Sequence, residues 1–365
     1  MEDKRINHML LVPSKKQISF VGFAGIALLC LFVIYIAGDS WKRLYFASPQ
    51  NTISFDRSDA GNRVTHPEPY RYHKIVWLQN NPFACVSQKK DMLIWGVQTG
   101  WQENIAAFER EVGRPDILAV FIHFGNENSF PSTVIPKTKD RQTLAIFWEA
   151  TDYNVSNIDQ PRFSYDAILR GDWDPYMRSF AADAKSYGGP VILIPFSEMN
   201  GDWYPWSGTK NGNTPEKAVL AFRHVHDIFS DVPNVKIGWA VNHSSHPPTQ
   251  ENAIERYYPG DPYVDYVGVD GFNFGGADYG SFDGIFGNAL ATLSKYNKPI
   301  YIFSLAAAEG PEKSAWISDA FLMQIPKYPN IVGWIWFNEN KERDWRVNSD
   351  PASLESFKAI LPNCR

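Results

Sequence analysis

The chain has 365 residues, 44% of them hydrophobic, enough for one large domain with a deep core or for two ordinary ones. A formal net charge of −5, with no Lys/Arg block outside the N-terminal segment, argues against a nucleic-acid partner. The 13 Trp and the 15% aromatic share exceed what a core alone demands and read as a sugar-stacking surface, although Trp also fills barrel cores.

In chain order, the first element is an apolar run from Ile18 to Ala37. Its roughly twenty residues are the length of a bilayer-spanning helix. Lys4, Arg5, Lys15 and Lys16 precede it, so the positive-inside rule keeps residues 1–17 in the cytoplasm and exports everything after Gly38. A cleaved signal peptide needs an apolar core of roughly 7–15 residues and a small-x-small site, and Ile36-Ala37-Gly38 is a poor one. The expectation is an uncleaved single-pass anchor in a bacterial inner membrane, with the rest of the chain in the periplasm or outside. Residues 38–84 are polar and mixed, a stalk in character. Residues 85–365 are the expected folded domain. Cys85 and Cys364 would lie in an oxidising compartment at the two ends of that domain, and a closed barrel would bring them near enough for a disulfide.

Beyond Cys85, short apolar runs alternate with amphipathic segments. Strands are predicted at Met92–Val97, Leu118–Phe124, Leu144–Trp148, Val191–Phe196, Val235–Val241, Tyr263–Val269, Ile300–Leu305 and Val332–Phe337. Thr214-Pro215-Glu216 reads as an N-cap, a first-turn proline and an early acid. The apolar stripe Ala218, Val219, Phe222, Val225, Ile228 continues that helix. A second helix is predicted from Asp174 to Tyr187, stopped by Gly188-Gly189. Eight strand–helix units match the size of a (β/α)8 barrel, and no Gly-x-Gly-x-x-Gly turn supports an open doubly wound sheet. The fold class is therefore α/β, a (β/α)8 TIM barrel behind one transmembrane helix.

In such barrels the C-terminal strand ends surround the active site. That groups Trp148-Glu149, Glu198, Asn242-His243, Asp270, Ser304 and Trp336–Asn340 around one mouth. Around Glu198 the sequence runs Phe196-Ser-Glu-Met-Asn-Gly-Asp-Trp-Tyr-Pro-Trp206, a carboxyl beside aromatic faces. Similar blocks are Tyr263-Val-Asp-Tyr-Val-Gly-Val-Asp-Gly-Phe-Asn273, Lys313-Ser-Ala-Trp-Ile317 and Trp336-Phe-Asn-Glu-Asn-Lys-Glu-Arg-Asp-Trp345. In content, order and spacing these resemble glycoside hydrolase family 26, the retaining β-mannanases and related β-glucanases. The resemblance covers about residues 93–361.

That resemblance implies two carboxyls about 5–5.5 Å apart, one to protonate the leaving oxygen and one to attack the anomeric carbon. Glu198 matches the acid/base. The nucleophile should be a Glu ending strand seven, where this chain reads Phe303-Ser-Leu-Ala-Ala-Ala-Glu309, placing Ser304 at that position. A serine is a poor nucleophile without an adjacent base. The family's Arg-Pro-Phe-His is here Ile194-Pro-Phe-Ser197, and its Asp-Gly-Tyr-Asn carries Phe272. Four changes around one reacting carbon imply that the retaining mechanism is absent. Asn200, Trp203, Tyr204, Trp206, Trp336, Asn338 and Trp345 remain at matching positions and imply glycan binding, with core packing as the alternative for Trp336 and Trp345. Glu149, Asn242 and Phe272 complete the candidate substrate-binding set.

Two readings stay open. One is a membrane-anchored, catalytically impaired barrel that binds a β-linked polysaccharide and serves exopolysaccharide synthesis or export, beside a membrane polysaccharide synthase. The other is an active endo-β-glycanase with Glu198 as acid and Glu309 as the second carboxylate, about 6.5–9.5 Å away for an inverting route. A native Glu replaced by design at Ser304 is disfavoured by the neighbouring Ala306 and Ala307. Asp270 reads as a structural acid bonding its loop, and His243 and His246 as a solvated loop. His224 and His226 point to different helix faces and share no metal. No phosphate loop, Cys-pair zinc motif or nucleophile elbow occurs, so neither metal nor cofactor is implied.

Overall fold

Each apolar run bounded by turn residues becomes one strand, and among the described residues α-helices follow six of the eight and supply the cover. The structure is a computed structural model describing residues 93–361 except 101, 126–128, 132–141 and 277–278. The predicted tail, anchor and stalk and the Cys85–Cys364 pair lie outside the described residues. No helix among the described residues is long and apolar enough to cross a membrane.

The strands are β1 (Ile94–Gln98), β2 (Ile117–His123), β3 (Thr143–Glu149), β4 (Val191–Pro195), β5 (Val235–Asn242), β6 (Tyr266–Asn273), β7 (Ile300–Ala307) and β8 (Ile331–Phe337). They form a closed barrel in sequential order, every neighbour parallel. Ile94–Gln98 pairs with Gly333–Phe337 to seal it. Around it lie α1 (Gln102–Glu111), α2 (Tyr165–Leu169), α3 (Asp174–Tyr187), α4 (Pro215–Phe229), α5 (Phe282–Leu293), α6 (Lys313–Asp319) and α7 (Pro351–Ile360).

The local signals act as their chemistry predicts. The Thr214 hydroxyl accepts from the Lys217 N–H at the start of α4. At the end of α3, Gly188 adopts a left-handed φ of 71°. The largest strand discrepancy is at β6, which begins three residues later than Tyr263 and runs on to Asn273. Asp261–Tyr263 instead makes a 3-10 turn with Pro262 inside it.

Two apolar layers hold the barrel. Inside, Phe147, Ile192, Ile194, Tyr301, Phe303 and Ile335 fill the bore. Tyr301 and Phe303 stack with ring centroids 5.3 Å apart. Phe303 fits because Gly238 and Gly268 face it, where an added Cβ would lie 2.6 and 2.2 Å from its ring. Outside, the larger cluster joins strands to helices and takes up most of the indoles. Of the ten Trp among the described residues nine are buried, and Trp203 is the exposed one, at 40%. The aromatic excess is thus mainly core, which corrects the sequence-based expectation. Burying an indole removes a large apolar area from water, and a barrel has two layers in which to do it.

Candidate active site

The site begins where β4 ends. Phe196 and Glu198 both adopt left-handed φ values, 56° and 57°. For non-glycine residues such backbone costs roughly 1–3 kcal/mol each and persists only where the surroundings impose it. Here the Phe196 N–H donates to the Trp148 carbonyl and the Glu198 N–H to the Ala240 carbonyl, each at 3.1 Å. The Phe196 ring is fully buried. The twisted exit leaves Glu198 lining the mouth, where the Trp203 indole N–H donates to its Oε2 at 2.9 Å. Gly201 lets that indole fold back, since a Cβ there would lie 2.6 Å from it.

A cleft of about 690 Å³ opens at this rim. Glu149 from the end of β3, Glu198 from β4 and Asp270 from β6 all line it. Burial pushes Glu149 up to about 8, against the opposing pull of the Tyr153 hydrogen bond and the Lys341 charge. Burial likewise raises Glu198 to about 7, opposed by the Trp203 donor and by Lys341. A carboxyl of that kind still carries a proton near neutrality, as a general acid must. Asp270 is pushed well above the usual carboxylate range, by burial first and then by the Glu198 charge, while the Ser304 backbone N–H opposes the rise. Its Oδ1 is buried with no hydrogen-bond partner.

Ser304 also lines the cleft, set opposite Asp270 by the β6–β7 pairing. Phe272 follows two residues after Asp270 on the same face of β6, packed near Trp345 and Phe337 with centroids 5.3 and 5.6 Å away. Asn242, Trp203, Tyr204 and Trp345 are lining residues too. Glu309 is not brought there. It lies exposed beyond β7 and outside the cleft lining, its N–H bonded to the Asp344 carbonyl, and its charge acts on Lys313 and Arg346.

Four candidate binding residues are occupied by the fold. The Asn200 amide donates to the Asn242 carbonyl and the Ser245 hydroxyl and accepts from the Asn242 N–H, so it ties the β4 exit to β5. Trp206 is fully buried, donates to the Ser197 carbonyl and stacks on Tyr204 at 4.2 Å. Trp336 is fully buried and donates to the Trp345 carbonyl. Asn338 accepts from the Val347 N–H and lines a neighbouring cleft of about 760 Å³ on the β1–β2 side.

The sequence reading also missed several lining residues. Phe121, Tyr153, Phe274 and Lys341 all face the cleft, together with Phe337 and Glu339 of the expected Trp336–Asn340 strand end. Lys341 is legible in retrospect, since it directly follows the matched Trp336–Asn340 strand end. His243 and His246 belong to the cleft wall rather than to a solvated loop, and His246 packs against Trp203 with centroids 5.5 Å apart. Among the described residues no group of three or more His, Cys, Asp or Glu is placed to hold a metal ion.

Residues 134–354 match the profile of glycosyl hydrolase family 26. The chain belongs to that family. Endoglucanase H of Acetivibrio thermocellus is 35% identical over 270 residues, covering 71% of this chain and 29% of that protein. Mannan endo-1,4-beta-mannosidase of Bacillus subtilis is 22% identical over 179 residues, covering 47% and 45%. The chain spans less than half the length of the curated relatives it matches. Among solved structures, a family 26 β-mannanase from Bacteroides ovatus shares the fold at a TM-score of 0.57 and 18% identity, with 80% of this chain and 94% of that one covered. Glu198, Trp203 and Ser304 all line the one cleft at the C-terminal strand ends.

Proposed function

We propose that this protein is a membrane-anchored, exported family 26 barrel that binds a β-linked polysaccharide and is catalytically impaired toward its family's substrates. It would act as an accessory to exopolysaccharide synthesis or export, beside a membrane synthase complex. The observation that carries this reading is Ser304 on the cleft wall, at the position where a retaining enzyme needs a carboxylate. Loss of a nucleophile costs on the order of 10⁶ in turnover. The exposed Trp203, the half-buried Tyr204 and Phe272 and the polar groups around them support retained binding. The names of the relatives, a beta-1,3-xylanase and mannan endo-1,4-beta-mannosidases among them, support a β-linked polymer as ligand.

The apolar run 18–37 and the four cations before it support the anchor, with the stalk at 38–84 and the barrel at 85–365. Calorimetry with mannohexaose and mixed-linkage glucan hexaose, beside a reducing-end assay on the polymers, tests the binding reading. Micromolar to millimolar binding without turnover is expected, and binding of neither oligosaccharide would end it. Protease protection on spheroplasts tests the topology, with the barrel digested and residues 1–17 protected.

An active endo-β-glycanase remains the second reading, favoured by one observation: Asp270 and Glu149 bring further carboxyls to the cleft that holds Glu198. It predicts released reducing ends that Glu198→Gln abolishes.

A further inference from the structure

The cleft carries Ser304 where the family resemblance implies a carboxylate, and opposite it Asp270, an acid to which that resemblance gives no nucleophile role. Asp270 is only 2% exposed, and its Oδ1 has no partner. A buried acceptor left unpaired costs roughly 1–3 kcal/mol, so this oxygen calls for a donor from a ligand. The β6–β7 register sets it opposite Ser304. Two residues on, and so on the same face of the strand, the half-buried Phe272 ring lines the same cleft without a hydroxyl. A hydrogen-bond acceptor, a short side chain and an apolar wall therefore lie together in the cleft that also holds Glu198. The C2 substituent of a bound sugar is the group beside its anomeric carbon. A hydroxyl there would use only the acceptor. An acetamido group uses all three, its N–H toward Asp270, its carbonyl in the space over Ser304 and its methyl on Phe272.

We propose that the cleft cleaves β-linked chains of 2-acetamido-2-deoxy sugars by substrate assistance, the sugar's own acetamido oxygen replacing the missing protein nucleophile. This rests on the reading of the cleft as a β-glycan site and adds a substrate class and an activity to it. In the first half-reaction the acetamido oxygen forms a bond to C1 as the bond from C1 to the leaving oxygen breaks. The leaving oxygen keeps that electron pair and takes the Glu198 proton. Asp270 accepts the amide N–H as positive charge develops on the nitrogen of the oxazolinium ring. In the second half, Glu198 takes a proton from water while the water oxygen bonds to C1 and the ring C1–O bond opens. One water is consumed, the acetamide is restored, and the product keeps the β configuration. Burial supports Glu198 in its part, since a carboxyl raised to about 7 donates and accepts a proton near neutral pH.

The test uses the full chain in detergent with three hexamers: N-acetylchitohexaose, its fully de-N-acetylated counterpart and mannohexaose. Cleavage of the first alone is expected, with retained configuration by proton NMR and inhibition by N-acetylglucosamine thiazoline, a stable mimic of the bicyclic intermediate. Asp270→Asn, nearly isosteric, should lower that rate about 10²–10⁴-fold, the range for a group that assists proton chemistry. An unchanged thiazoline-sensitive rate in Asp270→Asn would overturn the role of that carboxyl, and indifference to thiazoline would overturn the intermediate. Binding of mannohexaose with no cleavage of the acetylated chain sinks this inference and leaves the binding function standing. Binding of none of the three sinks both.

Discussion

The β4 and β7 ends of the barrel line one cleft, and they are built differently. At β4 the chain tolerates two left-handed residues to aim Glu198, and the Trp203 indole pins the carboxyl. Past the aiming point of β7, the run Ser304 to Ala308 is small and almost wholly apolar, with no backbone outlier and no charge. Strain is maintained where a geometry is still used. The contrast sets an aimed, hydrogen-bonded carboxyl at β4 against a short uncharged stretch at β7.

The comparison can be broken at four points. The largest effect is expected at the buried half of the β4 loop: Trp206→Ala should cost about 3–5 kcal/mol of stability, read by thermal or denaturant unfolding. Next is Ser304→Glu, which restores the family carboxyl but adds an acid beside Asp270 and Glu198. We expect a loss of about 3 kcal/mol, or roughly 6–12 °C in Tm. A Tm equal to that of the parent would mean the β7 floor still accepts a carboxylate.

Trp203→Ala, by contrast, should leave Tm nearly unchanged and weaken glycan binding about 30-fold, near 2 kcal/mol, by calorimetry. Equal affinity would move the platform elsewhere on the rim.

The smallest effect concerns Glu149, which burial raises from 4.5 to about 8 in the folded protein. The folded state therefore binds more protons than the unfolded chain between these values. Stability then falls as pH rises from about 4.5 through about 8. Glu149→Gln removes that loss, so its Tm should exceed the parent's at pH 9 by an amount worth roughly 1–3 kcal/mol and match it near pH 4. A variant equally displaced at both values would place the effect in packing and not in titration.

The sequence carried the order of elements, the barrel, and the gathering of Glu198, Asp270 and Ser304 at its mouth. All of these are local: an apolar run of strand length, a cap, a motif at a fixed offset from a strand end. The division of the aromatic residues was beyond it. Trp203 and Trp206 sit three residues apart in one polar loop, yet one is exposed over Glu198 and the other lies fully buried under Tyr204. Asn200 and Asn242 looked like free amides, yet the Asn200 side chain bonds the Asn242 backbone across β4 and β5, and the Asn242 amide donates to the Ser244 carbonyl. Glu309 lay at a suitable sequence distance from the nucleophile position, but the chain leaves the barrel at Ala307 and turns it outward. Asp270 showed the reverse, an apparent loop acid that the β6–β7 pairing sets on the cleft floor. Periodicity and motif spacing record which backbone a residue belongs to, and that determined the architecture. Which side chains meet, and which are left facing water or an empty cleft, depends on the closure of strands far apart in sequence, and only the tertiary structure decided it.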